Sequence, residues 1–464
     1  MSSELLAPLD LAFWHLESAG HPMHLGALAV FGPEPASATG SGPGPGPQEV
    51  MDLLAERAAA IPRLRMCVRA VMLPIGGSAW SEDKHFDVRR HVRHVALPGD
   101  DFAAEANRLA GELMEQPLER GRPPWEMYVL TGISGDPFAV LVKLHHALAD
   151  GMRAVAIGAG IFDQIAGGRG AEGGRVRAVP PRSWMPGPGQ FAGFARERIE
   201  ELGRAVGIGA SVMRASRLDL RGASPLVASS SGTRRIATAV LDQADVLRVR
   251  REVGGTANDV LLAVVAGGLR RWMLERGEQL PGADPRALVP VSRRRPGAPA
   301  GSANKLSAYL LGLPVSEPDP WARLDRVRTR MNRNKAAGPA RGAGAVAVLA
   351  DRLPPLAHRV GAQLAGSAAR MLFDVLVTSV PLPRSTLSLG GCPLRELYPL
   401  APLAQGQSLA VALSAYGGRV HVGLVADGKA VPDAGLLARC CSDELAELLK
   451  VTDERCRKGV DVLK

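Results

Sequence analysis

The chain has 464 residues, 46% of them hydrophobic and 22% charged, which suits roughly two or three globular domains with a large core. Its net charge of +10 is spread without a long basic block, so it favours anionic partners (phosphorylated cofactors, lipid surfaces, nucleic acid) or is a plain solvated basic surface. Five cysteines without a CxxC argue for a reducing compartment and against a disulfide framework or zinc ribbon. No apolar run nears the ~20 residues that span a bilayer and the start MSSELLAPLDLAFWHLE is no signal peptide, so a cytoplasmic, non-secreted protein is expected.

HPMHLGALAVFG (21–32) reads as a strand, followed by a Pro/Gly/Ser tract expected to be a surface loop. QEVMDLLAERAAAI and FAAEANRLAGELMEQPL have the spacing of amphipathic helices. PPWEMYVLTG and FAVLVKLHHA form a strand pair around the turn ISGD, and MRAVAIGAGIFDQIA then returns to helical spacing. A second Pro/Gly-rich tract (167–190) marks a linker, and FARERIEELGRAVGIGASVMRAS is a long helix beyond it. From about residue 236 the pattern repeats. TRRIATAVLD is a strand, and TANDVLLAVVAGGLRRWMLER is a helix capped near Thr256 or Asn258. RALVPVS and ANKLSAYLLGLPV are strands. AVLADRLPPLAHRVGAQLAGSAARM is a helix interrupted at Pro354, and FDVLVTSVP, STLSLGG, SLAVALSAYGG and RVHVGLVAD are strands. Two α/β domains with a cleft between them fit this order.

HHALADG (145–151) therefore falls where a strand ends and a helix begins, a frequent home for catalytic groups. Adjacent histidines on an extended chain point to opposite faces and chelate poorly, so no metal is expected. There is no G-x-S-x-G elbow, no G-x-x-x-x-G-K-[ST] loop and no cysteine with a histidine companion. What remains is a histidine acting without a nucleophile. It would take the proton of an incoming hydroxyl or amine as that group attacks a thioester, a task that suits a neutral imidazole. Asp150 would pin the loop through a basic partner, and Gly151 would give backbone room and allow unusual dihedrals. His146 shares a face with Val140, Val142 and Leu144, and His145 with Lys143. Alternation alone leaves open which of the two lines a channel.

The motif resembles the HHxxxDG signature of the wax ester synthase/acyl-CoA:diacylglycerol acyltransferase family, within the chloramphenicol-acetyltransferase-like and condensation-domain superfamily. Further blocks resemble that family in the same order across nearly the whole chain: PLDLAFWHLESAGHPMHLGALAVF (8–31), PPWEMYVLTG (123–132), TANDVLLAVVAGGLRRWM (256–273), ALVPVS (287–292), ANKLSAYLLGLP (303–314) and LYPLAPLAQGQSLAVALSAYGGRVHVGLVAD (397–427). The resemblance implies an α/β fold of mixed sheets, as two acetyltransferase-like domains with an active-site channel between them. The expected boundaries are 1–180, a linker with a helix over 181–235, and 236–464.

It also implies acyl-CoA as co-substrate, no bound cofactor, and a fatty alcohol or diacylglycerol as acceptor. Peripheral association with a membrane or lipid droplet goes with such substrates, and no nucleic-acid partner is expected. By the same resemblance His146 is the general base, His145 supports it and Asp150 is structural. Asn258 and Ser379 are channel or transition-state groups, with a plain helix N-cap as the alternative for Asn258. Trp125 and Glu126 are expected to be structural. The segment TSVPLP (378–383) departs from the family's S-N-V-P-G-P, placing Ser379 where asparagine is usual and Leu382 where glycine is. A related transferase with another hydroxyl acceptor, or a degenerate lipid-binding member, are the readings kept beside it.

Overall fold

The computed structural model describes residues 4–32, 44–133, 137–164, 226–292, 306–337, 355–356, 358–359, 372–383 and 385–461. Most of the Pro/Gly/Ser tract, the second tract with its following helix, and most of the helical stretch around Pro354 lie outside them.

The chain runs β1 (Glu4–Leu5), α1 (Pro8–Leu16), β2 (His24–Phe31), α2 (Pro47–Ala60), β3 (Met66–Ala70), β4 (Ser78–Glu82), β5 (Val92–Ala96), α3 (Phe102–Glu115), β6 (Trp125–Thr131), β7 (Phe138–His145), α4 (Gly151–Ile161) and β8 (Asp163–Gln164). It resumes with β9 (Arg234–Asp242), α5 (Gln243–Val253), α6 (Ala257–Glu275), β10 (Arg286–Ser292), β11 (Leu306–Gly312), α7 (Pro320–Ala337), β12 (Val375–Pro381), β13 (Leu387–Leu389), β14 (Cys392–Leu400), β15 (Leu409–Tyr416), β16 (Arg419–Asp427) and α8 (Ala434–Asp461). The helix starts follow capping chemistry. Asp101 accepts from Ala104 N–H (2.9 Å) at α3, and Asp242 from Ala244 N–H (2.7 Å) at α5. Thr256 and Asp259 close a reciprocal capping box at α6. Gly254, at φ 78°, ends α5 in a conformation that favours glycine, and the N-cap of α6, Thr256, follows two residues later.

The fold is mixed α/β, as expected. A seven-stranded sheet has the order β5-β6-β7-β2-β14-β13-β8, a six-stranded sheet the order β11-β10-β12-β15-β16-β9, and a small sheet the order β1-β4-β3. The large sheets are not divided by sequence, because β13 and β14, after residue 386, join the N-terminal sheet. β14 pairs antiparallel with β2 from Leu394–Phe31 to Leu400–Gly26. Each large sheet has its own core. A third core lies between them and joins Leu28, Tyr128 and Leu141 to Ile236, Ala410 and Val425. α3 packs across this seam at Gly111, where an added Cβ would lie 2.6 Å from the Arg234 carbonyl oxygen. Only a residue without a side chain allows that approach.

Candidate functional site

β7 is central in its sheet, flanked by β6 and β2, and it delivers the two histidines at its end. Its Lys143 and His145 point to one side, where everything is anchored. Lys143 is fully buried, and its Nζ donates to the Leu113 carbonyl (2.8 Å) and the Gln116 carbonyl at the C-terminus of α3. His24, directly across from His145 on β2, donates from Nε2 to the Met114 carbonyl (2.8 Å). Cations and donors at the negative end of a helix are favourably placed. Burial pulls Lys143 below its usual lysine value, Glu126 opposing, and burial brings His24 down to about 3.

His145 is 1% exposed. Its carbonyl accepts from Leu148 N–H (2.8 Å), forming the tight turn after β7. Its Nδ1 accepts from Ala147 N–H (3.0 Å), which places the proton on Nε2. That nitrogen faces Glu17 Oε1 at 3.4 Å, and Trp14 sits edge-on to the ring at 4.9 Å. Glu17 also takes the Arg120 guanidinium (2.7 Å) and Met23 N–H (3.3 Å), and Arg120 lies 4.0 Å over the Trp14 ring. Burial alone would raise the Glu17 carboxyl, but His145 and Arg120 hold it down to about 2. Nδ1 of His145 is thus hydrogen-bonded and Nε2 is set against the Glu17 carboxylate.

His146 is placed differently. Its backbone N–H donates to the Met23 carbonyl (2.8 Å), and its ring stacks on Phe13 with centroids 3.9 Å apart. The residue is half-buried. The imidazole is nonetheless surrounded closely enough that burial lowers its pKa to about 4, against the opposing pull of Asp150. At neutral pH it is an uncharged base.

Asp150 is buried and caps α4, accepting from Arg153 N–H at 2.8 Å. The Arg153 guanidinium reaches back to the Leu148 carbonyl (3.4 Å). Gly151 corrects one expectation. It begins α4 without a positive φ, and an added Cβ would make only ordinary contact with Val380, at 3.8 Å.

The C-terminal half meets the motif at this point. β12 pairs with β10 only at Ala287–Val375 and Leu288–Leu376, so the two strands part before Ser379. Ser379 Oγ donates to Asn258 Oδ1 at 2.7 Å. Thr256 caps α6, so Asn258 is not the N-cap; its side-chain oxygen is taken by Ser379, which leaves its NH₂ out of that bond. Leu382 packs against the N-terminal core. Trp125 and Glu126 are structural, as expected: Trp125 Nε1 donates to the Leu64 carbonyl (2.7 Å), and Glu126 accepts from Tyr128 OH (2.8 Å). Sequence reading missed Phe13, Trp14, Glu17 and Arg120. The first three lie in the family-like block 8–31, which was the only signal for them. Among the described residues no three His, Cys, Asp or Glu converge as a metal site.

The strand end thus carries two unlike histidines, one buried against Glu17 and one half-buried and neutral, and Gly151 beside them meets β12 of the second sheet at Val380. Two family models match the chain in tandem. The wax ester synthase/diacylglycerol acyltransferase catalytic domain covers residues 6–261, and the C-terminal domain of the same family covers 302–449. The chain belongs to the wax ester synthase/diacylglycerol acyltransferase family.

It is accordingly an acyltransferase. A probable diacylglycerol O-acyltransferase of Mycobacterium tuberculosis is 32% identical, over 97% of this chain and 96% of that protein. A second one from the same organism is 30% identical, over 96% and 98%. The wax ester synthase/diacylglycerol acyltransferase from Marinobacter aquaeolei VT8 shares the fold with a TM-score of 0.69 at 24% identity, over 97% of this chain and 100% of that one. So does a trichothecene 15-O-acetyltransferase from Fusarium sporotrichioides, with a TM-score of 0.59 at 12% identity, over 96% and 94%. Family membership therefore agrees with the resemblance read from the ordered blocks.

Proposed function

We propose that this family member transfers a fatty acyl group from a coenzyme A thioester to the hydroxyl of a fatty alcohol or diacylglycerol, giving a wax ester or triacylglycerol. The observation that carries the reading is the division between the histidines. His145 is buried with Nδ1 hydrogen-bonded and Nε2 set against Glu17, whereas His146 is half-buried and neutral. His146 takes the acceptor's hydroxyl proton as the oxygen attacks the thioester carbon. The carbonyl electron pair moves to oxygen, and the Asn258 NH₂, aimed by Ser379, donates to that oxyanion. On collapse the C=O bond re-forms, the C–S bond breaks, and the departing thiolate takes the proton from His146. No acyl-enzyme is formed. General-base help of this kind supplies about 10²–10⁴-fold, or roughly 3–5 kcal/mol of barrier.

His145 and Asp150 position the base, the first through Glu17 and the second by capping α4; Gly151 keeps the space beside Val380 open. The chain divides functionally at 1–180 and 236–464 around a linker, with residues 387–400 lent back to the first sheet. The family's substrates favour work on the cytoplasmic side, peripheral to a membrane or lipid droplet, and among the described residues no helix is long and apolar enough to cross a membrane. The test is CoA release from palmitoyl-CoA with hexadecanol or dioleoylglycerol offered separately. Release dependent on either acceptor is expected. Release with neither, but with an unrelated hydroxyl acceptor, overturns the substrate assignment.

A further inference from the structure

The β3–β4 hairpin ends in VMLPIGG (71–77), and its tip is unlike the rest of the surface. Met72 is 92% exposed, Leu73 73% and Ile75 63%, and Leu356 (49%) lies alongside, its Cα 2.9 Å from where a Cβ on Gly76 would be. Single exposed apolar residues are ordinary, but four large ones at one place mark a contact surface. The tip is firmly mounted. Val71 N–H donates to the Gly77 carbonyl (3.1 Å) and Gly77 N–H to the Pro74 carbonyl (2.8 Å). Trp80, at the base, is 1% exposed.

The charge in the stretches that form the tip is of one sign. No acidic residue occurs between Val68 and Ser81 or from Pro355 to Arg359, while Arg69 and Arg359 are exposed. Glu4, on the adjoining strand, is paired with Arg63 at 3.4 Å. The tip also touches the site. His15 Nε2 bonds the Gly76 carbonyl (3.3 Å), and His15 follows Phe13 and Trp14, the residues packed on the two motif histidines. Burial lowers the His15 pKa, and Arg120 and Arg359 are near enough to lower it further.

We propose that the tip of this hairpin is a lipid-surface docking element: Met72, Leu73 and Ile75 enter the acyl region of an anionic membrane or lipid-droplet monolayer, with Arg69 and Arg359 on its headgroups. A projecting apolar turn ringed by cations fits such a surface, because apolar burial and headgroup attraction add. Docked there, the face of α1 bearing Phe13 is held toward the lipid, so that acceptors reach His146 without crossing water. This use of the element rests on the acyl-transfer reading; the docking itself does not.

The experiment is co-sedimentation of the full chain with phosphatidylcholine vesicles, with and without phosphatidylglycerol, at low and high salt. The parent is expected to bind the anionic vesicles, and the triple variant Met72→Ser/Leu73→Ser/Ile75→Ser to partition about tenfold or more less well. The variant should keep CoA release with dispersed hexanol but lose it with vesicle-borne dioleoylglycerol. Leu73→Asp, at an exposed position, replaces the triple variant if that one fails to fold by circular dichroism. Equal binding of parent and variant overturns the proposal, as does a parent that ignores vesicles but forms a dimer which the substitutions break. A parent inactive on every acceptor, yet binding vesicles through the tip, leaves docking standing and removes the acyl-transfer reading.

Discussion

The two large sheets face one another across a shared core but bring unlike chemistry to it. At the end of β7 the seven-stranded sheet gathers His24, Lys143, His145 and His146, with Glu17 and Asp150 beside them. The six-stranded sheet is apolar through Val375, Val377, Leu409, Val411 and Leu413, and its Ser379 forms a neutral pair with Asn258 of α6. Its buried histidine, His421, lies instead edge-on to Tyr398 at 5.4 Å. The contrast teaches a division of labour. In the acyl-transfer mechanism proposed above, the first sheet sets the proton chemistry and the second half supplies the uncharged amide of Asn258.

The division breaks most sharply at Asn258. If its amide stabilises the oxyanion, Asn258→Ala lowers kcat by about 10²–10³-fold, as loss of one such donor does elsewhere. Ser379→Ala, which only frees the amide to turn, costs less. A kcat for Asn258→Ala equal to the parent's would reduce the second sheet to a wall.

Acid sharpens the comparison, because each sheet buries a neutral histidine. Burial holds His24 at about 3 and His421 at about 4, below the unfolded value near 6.5. Between those limits the unfolded chain binds more protons. Stability is therefore complete above pH ~6.5 and falls as pH drops, by up to about 1.4 kcal/mol per pH unit per group. Urea midpoints should decline from pH 7 to pH 5, and His24→Phe and His421→Phe should each flatten the decline. A flat profile in the parent would mean that neither histidine is held neutral.

The smallest expected effect belongs to Glu17→Gln. The shape survives and the charge is lost, so the Nε2 proton of His145 stays but is held more weakly. A loss of about tenfold or less in kcat is expected, with KM little changed, since no substrate contact is removed. A larger rise in KM than fall in kcat would instead place Glu17 on the substrate path.

Much of this was legible in the sequence. The pair β6–β7, the motif at its end and α4 follow from strict alternation giving way to helical spacing, and Asp150 stands where a helix cap belongs. The helix α7 was missed, although Leu324, Val327 and Met331 form a stripe on it, because its many arginines mask the periodicity. β14 was missed because CPLRELYPL carries two prolines and lacks clean alternation. Its pairing with β2 joins residues more than 350 positions apart, which no local pattern encodes. The Glu17–His145 contact, with Arg120 behind it, was hidden for the same reason. Asn258 was legible as a polar residue at a helix start, but only the capping box on Thr256 frees it from the capping role.

The central claim is that the two adjacent histidines are not equivalent. His146→Ala and His145→Ala, compared side by side for CoA release from palmitoyl-CoA with hexadecanol and for thermal melting, test it most directly. His146→Ala should lose about 10²–10⁴-fold in kcat and melt near the parent. His145→Ala leaves Glu17 buried without its imidazole, so it should melt well below the parent while its folded fraction keeps more activity than His146→Ala. The reverse pattern, with His146→Ala active within a few-fold of the parent and His145→Ala inert but stable, would contradict the assignment.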